Sequence, residues 1–95
     1  MVHFFEVPKM SLTLREFQEI IRKAYFERDS ARGLDRTFIW FIEEVGELAR
    51  AIKSGDMDNI EEEIADVAAW LVSIANLLDV DFEKAILKKY RNPPK

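Results

Sequence analysis

Five acidic residues carry the chemistry that this sequence can do. Glu43, Glu44 and Glu47 stand in E-E-V-G-E, and Glu63 and Asp66 stand in E-I-A-D. On a helix, residues three or four apart share a face, so Glu44 with Glu47 and Glu63 with Asp66 each form a carboxylate pair. If the pairs meet, carboxylates at about 4 Å repel by roughly 4 kcal/mol per pair at an effective dielectric of about 20. A divalent cation turns that repulsion into attraction. Oxygen ligation without His or Cys suits Mg²⁺ or Mn²⁺ rather than zinc, and no EF-hand loop points to Ca²⁺.

The elements that must position these acids are two helical patterns folded back on each other through Ser54-Gly55-Asp56. With an antiparallel hairpin about Gly55, residues whose numbers sum to about 110 lie at the same height. Glu44 then faces Asp66 and Glu47 faces Glu63. Trp40 comes level with Trp70, one turn beyond the acids at the open end. Between Ile64 and Leu78 the only polar side chains are Asp66, Ser73 and Asn76. An unpaired Asp66 in so apolar a helix costs several kcal/mol, and no Lys or Arg is expected level with it. Glu61 and Glu62 read simply as a solvated first turn near a positive helix end.

Taken in order, residues 1–10 read as a short extended arm, and Met10 offers an alternative start. Thr13 with Glu16 predicts a capping box, followed by Leu14, Phe17, Ile21 and Ala24 at helical spacing and an end near Asp29. Ser30 to Leu34 is expected as a loop and Asp35 as the next cap. In the second helix Phe38, Phe41, Ile42, Val45, Leu48, Ala49 and Ile52 form a broad stripe expected to face the core, with Trp40, Glu44 and Glu47 on its flank and Glu43 pointing further out. Gly55 is the expected stop, and Asp58 with Glu61 the next start. The third helix repeats Ile60, Ile64, Val67, Leu71, Ile74 and Leu78, a bundle seam. Ala65, Ala68, Ala69 and Val72 make a second, small-residue face that a partner subunit could cover. Asp81 is expected to cap a short last helix that stops before Pro93-Pro94. The fold class is all-α: an antiparallel bundle of about four helices, completed by oligomerisation.

With 95 residues and 48% hydrophobic side chains, the chain is expected as a single domain whose limited core would gain from association. The absence of cysteine excludes disulfides, thiolate nucleophiles and cysteine-ligated zinc. No basic segment followed by a long apolar one opens the chain, so no signal peptide is expected, and the expected location is the cytoplasm. The net charge of -4 argues against a general binder of nucleic-acid polymers, and no apolar run reaches membrane-spanning length. Residues 43 to 66 hold nine acidic and two basic side chains, a patch that attracts cations.

The pattern E-E-x-x-E, fifteen residues, then E-x-x-D, together with E-V-G-E-L, resembles the MazG-like nucleoside triphosphate pyrophosphohydrolases. The likeness runs from about Leu12 to the D-F-E-K-A helix. It implies an all-α enzyme that binds Mg²⁺ through Glu44, Glu47, Glu63 and Asp66 and cleaves a nucleoside triphosphate between the α- and β-phosphates. Glu43 matches the additional acid of the motif, and Glu43 or Glu47 would orient or deprotonate water. Lys89 sits where relatives often place a phosphate-contacting lysine, and Asn76 falls at a commonly polar position. With phosphates at the acids, Trp40 and Trp70 are expected to receive the base. Dimers or dimers of dimers are the implied assembly. Two alternatives stay open: a phosphoribosyl-ATP pyrophosphohydrolase of histidine biosynthesis and a non-catalytic helical oligomerisation module. The five acids, and Asp66 above all, disfavour the second.

Overall fold

Short polar side chains set where the helices begin. In the computed structural model, which describes residues 11–94, Thr13 Oγ1 accepts from the Glu16 amide at 3.0 Å while the Thr13 amide donates to Glu16 Oε1 at 2.7 Å. This capping box opens α1 (Leu14–Arg32), which is followed by α2 (Leu34–Ser54), α3 (Met57–Leu77) and α4 (Phe82–Tyr90), with no strand among the described residues. The expected arm at 1–10 lies outside the described residues.

The expected loop from Ser30 to Leu34 does not exist. Helix α1 continues to Arg32, Gly33 alone separates it from α2, and Asp35 lies in the first turn of α2 instead of capping it. Gly33 has φ 92° and ψ 161°, a conformation that side chains resist, so a one-residue turn is possible there. The junction is clamped by Arg32, whose Nη1 donates to Asp29 Oδ1 at 2.9 Å and to Thr37 Oγ1 at 3.2 Å. Asp29 and Thr37 are both buried. At the other end of α2, Gly55 takes the left-handed conformation expected of it and donates to the Ala51 and Ile52 carbonyls. The cap of α3 is Asp56, not Asp58, because Asp56 follows that glycine in extended backbone and its carboxylate accepts from the Asp58 and Asn59 amides. Asp81 caps α4 by accepting from the Lys84 amide at 3.0 Å.

Helix α3 is central and packs on both α2 and α1, while α4 rests on α1. The side of α3 that faces inward is only partly the expected one: Ile60, Val67 and Ile74 of the expected seam are half-buried. Val72, Ser73, Ala75 and Asn76 are buried and Ala68 and Ala69 half-buried, whereas Ile64, Leu71 and Leu78 of the expected seam are exposed. Small side chains let helix backbones approach, and close approach buries them most completely. In α2 the inward face is rotated from the expected stripe: Thr37 and Ala51 are buried and Phe41 and Leu48 half-buried, while Phe38, Ile42, Val45 and Ile52 are exposed. Of the Ala65 to Val72 face, Val72 is buried and Ala68 and Ala69 half-buried within the chain's own helices, while Ala65 stays exposed.

A polar hub ties the lower half together. Gln18 of α1 donates to Asn76 Oδ1 at 3.0 Å and to the Val80 carbonyl at 2.8 Å, and its Oε1 accepts from the Phe82 amide at 2.9 Å. One buried amide thus fixes α1, α3 and the start of α4. No helix among the described residues is long and apolar enough to cross a membrane.

Candidate metal centre

Hairpin geometry delivers the acids to one place. Glu44 of α2 and Glu63 and Asp66 of α3 each offer an oxygen within 4.8 Å of the others. Glu44 and Glu63 are half-buried and Asp66 is exposed, so desolvation falls on the two glutamates and not, as expected, on the aspartate. Glu63 Oε1 is fully enclosed and has no hydrogen-bond partner, which is a costly state for a carboxylate oxygen. The Glu44 carboxyl is held above its ordinary value by burial first, then by the negative charges of Glu63, Asp66 and Glu47.

This arrangement fits a hard divalent cation. The donors are all oxygen, they converge from two rigid helices, and the orphaned Glu63 oxygen and the strained Glu44 charge would both be relieved by positive charge between them. Glu47 is near enough to perturb Glu44 but its own carboxylate is paired with Arg50 one turn along α2, with both partners largely exposed. Glu43 is exposed and outside the group.

Trp40 and Trp70 are level, as the hairpin arithmetic expects, with ring centroids 5.7 Å apart in an edge-to-face arrangement. The Arg32 guanidinium lies over both, 4.4 Å from the Trp40 ring and 5.1 Å from the Trp70 ring. The two indoles and the clamp of the α1–α2 turn are thus one unit. Asn76 is buried and engaged with Gln18, ten residues and about 15 Å along α3 from Asp66. Lys89 lies on α4 with its ammonium over Tyr90, on the helix that packs against α1. The structure does not bring Asn76 or Lys89 into the carboxylate group.

Beside the acids, a cleft of about 200 Å³ opens between α1 and α3. Helix α1 contributes Tyr25, Arg28 and Arg32, and α3 contributes Asp66, Trp70 and Ser73. Arg28 stacks over Tyr25 at 5.5 Å and forms no ion pair among the described residues, so its charge is available to an anion. The expectation of a helix ending near Asp29 leaves Arg32 off the face that carries Tyr25 and Arg28, and so hides this wall. Arg28 and Arg32 are four apart, and continuing the helical period through Ser30 and Ala31 would have placed them on one face.

Carboxylates able to hold a cation, cationic side chains next to them and an aromatic wall together can bind a polyanion with a ring attached. No curated protein matches the chain in a direct sequence comparison. A family model described as the MazG nucleotide pyrophosphohydrolase domain matches residues 32–93, which includes all five acids of the motif. That match covers more than half of the sequence, and the chain belongs to the MazG nucleotide pyrophosphohydrolase domain family.

Proposed function

We propose that this protein is a Mg²⁺-dependent pyrophosphohydrolase that splits a nucleoside triphosphate between its α- and β-phosphates. Water is consumed, one phosphoanhydride bond breaks, and a nucleoside monophosphate and pyrophosphate leave. The observation that carries the reading is the convergence of Glu44, Glu63 and Asp66 about the orphaned Glu63 oxygen, within the segment that matches the family.

Glu44, Glu63 and Asp66 would hold Mg²⁺, or Mn²⁺, with Glu47 joining them once it leaves Arg50. The ion would supply charge neutralisation at the phosphates and a lowered pKa for water. Glu47 accepts the proton of the attacking water in this reading, being the motif acid outside the three converging members whose charge acts on the Glu44 carboxyl; Glu43, exposed and outside the group, is the second candidate. Arg28 takes a phosphate oxygen from the α1 side, and Trp70 lines the space beyond Asp66 where the nucleoside lies. Incubation with a panel of triphosphates, followed by phosphorus NMR, should show pyrophosphate and monophosphate in Mg²⁺ and neither product in chelator. Release of orthophosphate, or no turnover of any triphosphate, would end this reading.

The assembly proposed is a homo-oligomer, a dimer or a dimer of dimers, formed through the exposed aliphatics of α2 and α3. Phe38, Ile42 and Ile52 on α2 and Ile64 and Leu78 on α3 are each at least half exposed, more large apolar surface than a soluble monomer ordinarily shows. Light scattering at micromolar concentration should give more than one chain mass. Ile64→Glu should shift it toward monomer, and a wild-type monomer would contradict the proposal.

A further inference from the structure

Ser73 is 95% buried in the structure, being 5% exposed, and lines the cleft between α1 and α3. Serine hydroxyls within helices ordinarily return to a carbonyl three or four residues back. Ser54 does so, donating to the Ala51 carbonyl at 2.7 Å. Ser73 forms no such bond and has no hydrogen-bond partner among the described residues. Glu63 Oε1 is the one fully enclosed polar side-chain atom without a partner among them, so the Ser73 hydroxyl is not sealed off, and the space beside Ser73 is the cleft.

Its position relative to the acids follows from helix geometry. Asp66, Trp70 and Ser73 stand at i, i+4 and i+7, one face of α3, and seven residues advance about 10 Å along the axis. Phosphates held at Asp66 therefore leave the nucleoside over Trp70 and Ser73. The cleft volume of about 200 Å³ is below the range of pockets that enclose a whole drug-sized ligand, so it takes a sugar or a base and not the complete nucleotide. The charged groups of the walls are already committed. Asp29 and Arg32 are paired with each other, and Arg32 also holds Thr37. Arg28 is cationic and suits an anion. Neutral hydroxyls that both donate and accept are left at Tyr25 and Ser73, and of the two only Ser73 is buried, where an unmet hydrogen bond costs most.

We propose that Ser73 is the specificity-determining residue of this site, its hydroxyl hydrogen-bonding a sugar hydroxyl or a base edge of the nucleoside whose phosphates lie at the carboxylates. This rests on the pyrophosphohydrolase reading for the identity of the ligand. A site that offers one buried hydrogen-bonding group discriminates against analogues that cannot use it, because the group is then left unpaired.

The test is Ser73→Ala assayed for pyrophosphate release against ribo- and deoxyribonucleoside triphosphates of all four bases. For the substrates that carry the recognised group, kcat/KM should fall about 5- to 10-fold, the loss of one neutral hydrogen bond, and for those without it the change should be under about 2-fold. The preference of the wild type is thereby flattened. Melting temperature should not fall, since the free protein loses no hydrogen bond; a residue that served only the fold would lower it. An unchanged preference pattern, or an equal loss on every substrate, overturns the proposal. Should the wild type hydrolyse no triphosphate, the pyrophosphohydrolase reading fails separately, and Ser73 is then judged by titrating nucleoside 5′-monophosphates without metal and following tryptophan emission. Binding weakened selectively in Ser73→Ala upholds the role, and identical affinity for every monophosphate in the two proteins overturns it.

Discussion

Two polar clusters are set into α3, and they differ in how completely they are satisfied. In the lower one, Gln18 and Asn76 bond each other and the backbone at Val80 and Phe82, so that a buried amide pair becomes a three-way joint. In the upper one, Glu44, Glu63 and Asp66 crowd within 4.8 Å, one enclosed oxygen has no partner and one carboxyl is driven above its ordinary value. Buried polar groups that complete one another hold a fold; those left incomplete await something that is not part of the chain. The two clusters sit on the same helix, about 15 Å apart, and residue type alone does not tell them apart.

The largest expected effect tests the incomplete cluster. Asp66→Asn should lower pyrophosphate release by about 100-fold or more, and millimolar Mg²⁺ should no longer raise the melting temperature as it does in the wild type. Without metal the variant should melt no lower than the wild type, because a repelling charge has gone. A metal-induced shift of equal size in both proteins would remove the metal site from the account.

Next comes the wall between the clusters. Trp70→Ala should raise KM about 5- to 150-fold with a smaller change in kcat, the range expected when one stacking surface is lost. Trp40 is not in the cleft wall, and Trp40→Ala should act mainly through the loss of about 1 kcal/mol of cation–π contact with Arg32. Kinetics and melting curves on both variants give the contrast, and a KM unchanged in Trp70→Ala with a large loss of stability would make both indoles purely structural.

The complete cluster should behave oppositely. Asn76→Ala leaves Gln18 short of a partner and should cost about 1 to 3 kcal/mol of stability in chemical denaturation, with KM of the folded enzyme unchanged. A raised KM in an equally stable protein would place Asn76 at the substrate site.

The smallest effect is on pH dependence. The folded chain holds the Glu44 proton more tightly than the unfolded chain, so this group favours folding at low pH, and the contribution is lost as pH rises from the ordinary value of 4.5 through the raised one. A cation requires Glu44 ionised, and the gain in melting temperature from Mg²⁺ should therefore grow across the same interval. Glu44→Gln should lose both slopes. Melting curves of the two proteins from pH 4 to about pH 7, with and without Mg²⁺, provide the difference to be measured.

Local chemistry in the sequence determined much of this protein. The capping box at Thr13, the left-handed stop at Gly55 and the cap at Asp81 are read from side chains that act on their own neighbourhood, and hairpin arithmetic brought Glu44 to Asp66 and Trp40 to Trp70. The turn at Gly33 was missed because it depends on a clamp between Asp29, Arg32 and Thr37 that no local signal announces. Which face of α2 and α3 turns inward was also beyond the sequence. Periodicity shows that a helix has an apolar stripe, but α3 carries a small-residue face besides its aliphatic one, and packing against two neighbouring helices decided how each is buried. Tertiary structure alone decided that Asn76 would be completed by Gln18 while Glu63 would be enclosed with an oxygen unmet, since the partner that completes or fails to complete a polar group lies on another helix.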